Sequence, residues 1–117
     1  MDLMDFRLGV AFYKANSGEE PVRKWLRELE REDRKAIGGK IKTVQIGWPI
    51  GMPVVRKVEK DLWEVRVSLS GRIARILFTV YDDTIVLLHG FIKKSKKTPA
   101  NDLKLAKRRK NSFAGSI

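Results

Sequence analysis

With 117 residues and 43% apolar content, the chain is sized for one domain, residues 1–117, built on one hydrophobic core. It has no cysteine and a single histidine, His89, so it can build neither a disulfide framework nor a thiolate or multi-histidine metal site, and neither a metal nor another cofactor is expected. No apolar run approaches the roughly 18 residues that cross a bilayer, and MDLMDFRLGV lacks the pattern of a signal peptide; the expected setting is the cytoplasm, and the net charge of +11 points to a polyanionic partner rather than a membrane.

The segment Phe6 to Tyr13 (FRLGVAFY) mixes aromatic and β-branched residues and predicts a first strand. Ser17 and Glu20 have the spacing of a capping box, ahead of Val22, Trp25, Leu26 and Leu29 at helical intervals. Asp33 is placed to cap a second helix with the stripe Ile37, Ile41 and Val44, although Gly38 and Gly39 weaken its interior. A turn-rich loop, GWPIGMP at 47–53, ends it. From Val54 to Lys94 the apolar period becomes two, with breaks at Lys60 and Asp61, Ser70 and Gly71, and Asp82 and Asp83; this predicts an antiparallel meander of three or four strands. After Lys94 the chain is basic and polar. Pro99, Leu103, Leu105 and Ala106 suggest a short closing helix within a basic tail of about 95–117. The class is therefore α+β: two N-terminal helices on one face of a mostly antiparallel sheet of four to five strands, closed by a short C-terminal helix or tail.

A two-residue turn at Ser70 and Gly71 fixes which residues lie opposite each other across the hairpin. Trp63, Val65 and Val67 then oppose Phe78, Ile76 and Ala74, an apolar face suited to the helices. On the other face Glu64 opposes Leu77, Arg66 opposes Arg75, and Ser68 opposes Ile73. Two arginines directly opposite cost on the order of a few tenths to 1 kcal/mol unless an anion or Glu64 shares them. A solvated face with Glu64 as ion-pair partner is one account of them. The surrounding charge favours another: Arg56, Lys57 and Lys60 on the preceding strand, Arg72 beside the turn, and Lys93, Lys94, Lys96 and Lys97 at the end of the last strand would make a bowl for a phosphate backbone.

RNA can be cut without metal because its own 2′-hydroxyl attacks the adjacent phosphate once it is held in line and the developing charge is stabilised. Arginine suits that task through its planar, permanently charged fork. Arg66, Arg75, Glu64 and Lys94 are the candidate catalytic residues. The base is open between Glu64, a lysine and His89, whose plainer role is that of a partly buried structural histidine. Trp63 falls on the apolar face as core, whereas Trp48 could stack on a base.

The stretches LWEVR at 62–66, SGRIARILFTVYDD at 70–83 and LLHGFIKKSKKTP at 87–99 resemble the phage-type, Gp49-like HigB branch of the RelE/HigB toxin superfamily, over roughly half the chain. The resemblance implies a RelE-like fold and the toxin of a type II toxin–antitoxin system. Such a toxin enters the ribosomal A site, cleaves messenger RNA as a metal-independent endoribonuclease, and is neutralised by a helix-turn-helix, HigA-like antitoxin. Arg75 matches the arginine that opens the central strand in that family, Arg66 a basic substrate-contacting position, and Lys93 and Lys94 the basic cluster that ends the last strand. Some members carry lysine where Glu64 stands, and their C-terminal tyrosine has no counterpart here. A non-catalytic nucleic-acid-binding module and an inactive toxin homologue are the alternatives.

Overall fold

Three two-residue turns divide the second half of the chain. In the computed structural model, which describes residues 8–93 and 99–115, they separate strands β2 (Val55–Glu59), β3 (Leu62–Leu69), β4 (Arg72–Tyr81) and β5 (Thr84–Lys93). Asp61, Asp82, Asp83 and Gly71 take the left-handed backbone conformation in these turns, which glycine and aspartate tolerate best. Ahead of them lie β1 (Gly9–Phe12), α1 (Pro21–Glu28) and α2 (Arg31–Gly47), and α3 (Ala100–Gly115) follows. The five strands form one sheet in the order β1-β5-β4-β3-β2, antiparallel except where β1 joins β5. No helix among the described residues is long and apolar enough to cross a membrane.

The expected hairpin register holds throughout, from Trp63 opposite Phe78 to Leu69 opposite Arg72. Its apolar face packs against α1 and α2 through Val22, Ile37, Ile41, Val44, Val65, Val67, Ile76 and Phe78. Trp48 joins that core: its ring meets Trp63 at 5.0 Å and Phe78 at 5.7 Å, edge on, so it is packed rather than held out for a base. Gly38 and Gly39 are accommodated within an unbroken helix whose buried apolar stripe is the expected one.

Two local expectations fail. The capping box at Ser17 and Glu20 does not form, because α1 begins one residue after Glu20, at Pro21, whose fixed φ suits a first turn; Ser17 Oγ accepts the Glu19 N–H and the Glu20 carboxylate pairs with Arg23 at 3.0 Å. Asp33 lies inside the first turn of α2, not at its cap. Its carboxylate receives both hydrogen bonds of Arg72 Nη2, at 2.9 and 3.1 Å, and so ties α2 to the start of β4.

Two bulges, one in the β2–β3 ladder and one in the β4–β5 ladder, decide which residues face which way. An unbroken ladder from the Lys60–Asp61 turn would set Lys57 opposite Glu64. Instead the register shifts between Lys57 and Glu59, so that Arg56 opposes Glu64 and Lys57 opposes Trp63. A second shift, at Leu88 between β4 and β5, turns His89 onto the face of Leu77 and leaves Gly90 opposite Ile76. The ring of Trp25 on α1 lies directly over Gly90, where an added Cβ would come within 2.4 Å of its Cζ3. A core cannot absorb that overlap without moving the helix. We expect Gly90→Ala to lower stability by about 2–3 kcal/mol in urea unfolding, and a Trp25→Leu background to recover part of the loss; equal losses in both backgrounds would place the constraint elsewhere.

Candidate nucleic-acid interface

The face turned away from α1 and α2 is built in rows across the strands. One row runs Arg56, Glu64, Leu77, His89; the next Arg66, Arg75, Phe91; the third Ser68, Ile73, Lys93. The register thus brings Arg56, Glu64, Arg66, Arg75, His89 and Lys93 onto one face as expected and adds Phe91. Lys57 is the exception: its bulge places it on the helix side of the sheet, exposed and away from the arginines. Arg72 is likewise on the helix side and engaged by Asp33. Lys60 is exposed in its turn, and its carbonyl accepts a bond from Lys110 Nζ at 3.0 Å. Lys94, Lys96 and Lys97 lie outside the described residues.

This face is not the open surface that an alternating sequence suggests. Helix α3 lies on it, and Leu62, Leu77, Val86, Leu88 and Ala106 form a second core with Leu103, Phe91 and Phe113 around it. The basic stretch expected to trail as tail or short helix is thus, from Ala100, a 16-residue helix, and several of its charges are spent internally. Lys107 and Lys110 reach Glu59 at 3.5 and 4.0 Å, and Arg109 donates to the Leu88 carbonyl at 2.8 Å. Lys104 and Arg108 stay exposed.

Beside that helix sits a buried ionic group. Glu64 and Arg75 have no exposed surface, and one carboxylate oxygen, Glu64 Oε1, accepts from Arg75 Nη1 at 3.5 Å and pairs with Arg56 Nη2 at 3.9 Å. Burial lowers the pKa of the Arg75 guanidinium from its ordinary value; Glu64 opposes that shift, while Arg66 and Arg56 add to it. Arg66, by contrast, is half-buried, Lys93 is half-buried at the end of β5, and 40% of the Arg56 side chain is exposed. The pair of opposed arginines therefore divides: one inside with the carboxylate, one at the surface.

His89 is held on all sides. Its Nε2 is 2.6 Å from Asp102 Oδ1 on α3, its Nδ1 lies 3.5 Å from Arg109 Nη1, and its ring stacks on Phe91 at 5.4 Å. The partners assign the neutral ring a hydrogen on Nε2, donated to Asp102. Arg109 sits over the Tyr13 ring at 5.8 Å, and its pKa is lowered by burial against the raising effect of Tyr13. Asp102 and Arg109, in a segment that reads only as basic and polar, carried no sequence signal of this role, since their partner is 13 or more residues away on a strand.

Two expectations follow from these contacts. Glu64→Ala leaves buried positive charge without its carboxylate and should cost on the order of 3 kcal/mol, read by thermal unfolding, with Glu64→Gln losing less; an unaffected Glu64→Ala variant would mean that the carboxylate is dispensable. Asp102→Ala should cost about 1–2 kcal/mol and speed amide exchange in α3 well before β4, whereas uniform exchange would refute the idea that His89 fastens this helix.

The model of the family described as phage derived protein Gp49-like (DUF891) matches residues 24–111, from α1 to the last third of α3. Curated proteins returned no match.

Proposed function

The chain belongs to the phage-derived Gp49-like family, a RelE/HigB-like toxin family, and from that premise we propose that it is the toxin of a type II toxin–antitoxin system that cleaves messenger RNA on the ribosome. The observation that carries the reading is the row of Arg66 opposite Arg75 beside Glu64, on a chain of net charge +11. A face with this much positive charge attracts the RNA backbone by counterion release. Its partners are the message in the ribosomal A site and a helix-turn-helix antitoxin.

In the proposed reaction the 2′-hydroxyl attacks the adjacent phosphorus, the bond to the 5′-oxygen breaks, and a 2′,3′-cyclic phosphate and a free 5′-hydroxyl form. Arg66, the accessible member of the opposed pair, donates to the nonbridging oxygens as their charge grows. Arg75 acts from beneath: a desolvated charge fixed by Glu64 keeps the potential at the surface positive without touching the substrate. Glu64 is a positioning residue in this scheme, since it has no exposed surface from which to take a proton. His89 has both ring nitrogens engaged. Of the described lysines on this face, Lys93 at the end of β5 is the one with access: as the uncharged amine it takes the 2′-hydroxyl proton, and as the ammonium it returns a proton to the departing 5′-oxygen. Lys94 is the alternative by its place in the sequence, and Lys96 and Lys97 add positive charge.

One observation favours a second reading. The full burial of Arg75 also suits an inactive homologue that keeps the fold and the antitoxin site. Induction from a tightly controlled promoter, with new 5′ ends mapped on ribosome-bound message, separates the two. We expect the wild type to arrest growth and cut the message, and Arg66→Ala to lower cleavage by about 100-fold or more with its unfolding midpoint unchanged. A folded Arg66→Ala protein with full toxicity would sink the proposed site, and an intact message under the wild type would support the inactive homologue.

A further inference from the structure

Strand β2 begins at Val55, opposite Val65, and the Arg66 N–H still bonds the Val54 carbonyl at 3.2 Å. Past that point β3 continues to Leu69 without β2 beside it. The missing strand length leaves a notch between the sheet edge and α2, a cavity of about 500 Å³. Its polar lining is Lys40, Arg66 and Ser68, and its apolar walls include Pro53, Val54 and Ile73. Among the described residues no acid lines the notch; of the two acids in the first turn of α2, Asp33 is taken by Arg72 and Glu32 is exposed to solvent.

We infer that this notch is the subsite for a nucleotide of single-stranded RNA flanking the scissile phosphate, an inference that rests on the proposed function and extends it. The volume lies within the roughly 300–1,000 Å³ of clefts that hold small ligands. Lys40 and Arg66 make no ion pair among the described residues, which suits a phosphate, and an apolar wall suits the face of a base. The notch is continuous with the cationic face, because Arg66 belongs to both. An RNA strand with one phosphate on Arg66 carries its neighbouring nucleotide toward Lys40, and the Ser68 hydroxyl is placed to bond a ribose hydroxyl or a phosphate oxygen. Lys40 thereby becomes a binding residue. It has no marker in the sequence, where it is one more base on an amphipathic helix.

The test is the affinity of the intact protein for a fluorescein-labelled uridine hexaribonucleotide, by anisotropy at several salt concentrations, in wild type, Lys40→Ala and Lys42→Ala. Lys42 is exposed on the same helix and does not line the notch. Lys40→Ala should weaken binding about fivefold and flatten the slope of log affinity against log salt by about 0.7, as for one lost phosphate contact; Lys42→Ala should change binding less than twofold. Equal effects of the two substitutions, or none from Lys40→Ala, would overturn the inference, the first by reducing it to general charge. A decaglutamate peptide that binds as tightly as the RNA and loses as much on Lys40→Ala would also overturn it, by assigning the notch to an acidic protein segment. The parent reading is judged separately: a wild type that cuts message while Lys40→Ala binds normally leaves cleavage standing and removes only the subsite. A wild type that leaves the message intact but loses RNA on Lys40→Ala keeps the subsite and removes cleavage.

Discussion

Arg66 and Arg75 face each other across neighbouring strands, and their register is set by a turn of two residues. Like charges at that separation repel, and much of the organisation of this face resolves the repulsion. Glu64, two residues before Arg66 and therefore on the same face, turns inward to Arg75, and Arg56 approaches the same carboxylate oxygen from the edge strand. Withdrawing a guanidinium from water is costly unless an anion is withdrawn with it. With the carboxylate inside as well, one arginine becomes part of the interior and the other stays at the surface.

Helix α3 covers the neighbouring part of this face. A mixed polar and apolar sheet face would not by itself exclude water, but Leu62, Leu77, Val86 and Leu88 meet Leu103, Ala106 and Phe113 and close that part of it. The two bulges serve the same end. An extra residue in β2 and another in β5 each interrupt the ladder, and in return Val58 and Leu88 turn toward α3. His89 comes with the second bulge onto the α3 side, where Asp102 fastens the first turn of the helix and Arg109 its later turns.

Positive charge on this molecule is therefore of two kinds. Lys107, Arg109, Lys110 and Arg72 are occupied in holding elements together, while Arg66, Lys93 and the exposed part of Arg56 face outward from one sheet surface. A count of bases does not separate them. In the proposed cleavage the separation matters, because a phosphate passing between two oxygens is stabilised most by cations aimed at it before the reaction starts.

The sequence by itself determined the secondary structure of the meander, its three turns, the pairing of β3 with β4 and the apolar face under α1 and α2. All of these follow from alternation and from turn residues within a few positions of one another. It placed Arg66 and Arg75 opposite each other for the same reason. Only the tertiary structure decided which of the two is buried, that Arg56 rather than Lys57 joins them, that Asp33 clamps Arg72 from 39 residues away, and that Asp102 and Arg109 hold His89. Those outcomes depend on contacts between elements far apart in the chain and on bulges that shift a strand by one residue. A one-residue shift moves a side chain from one face to the other while leaving the local pattern of the chain unchanged.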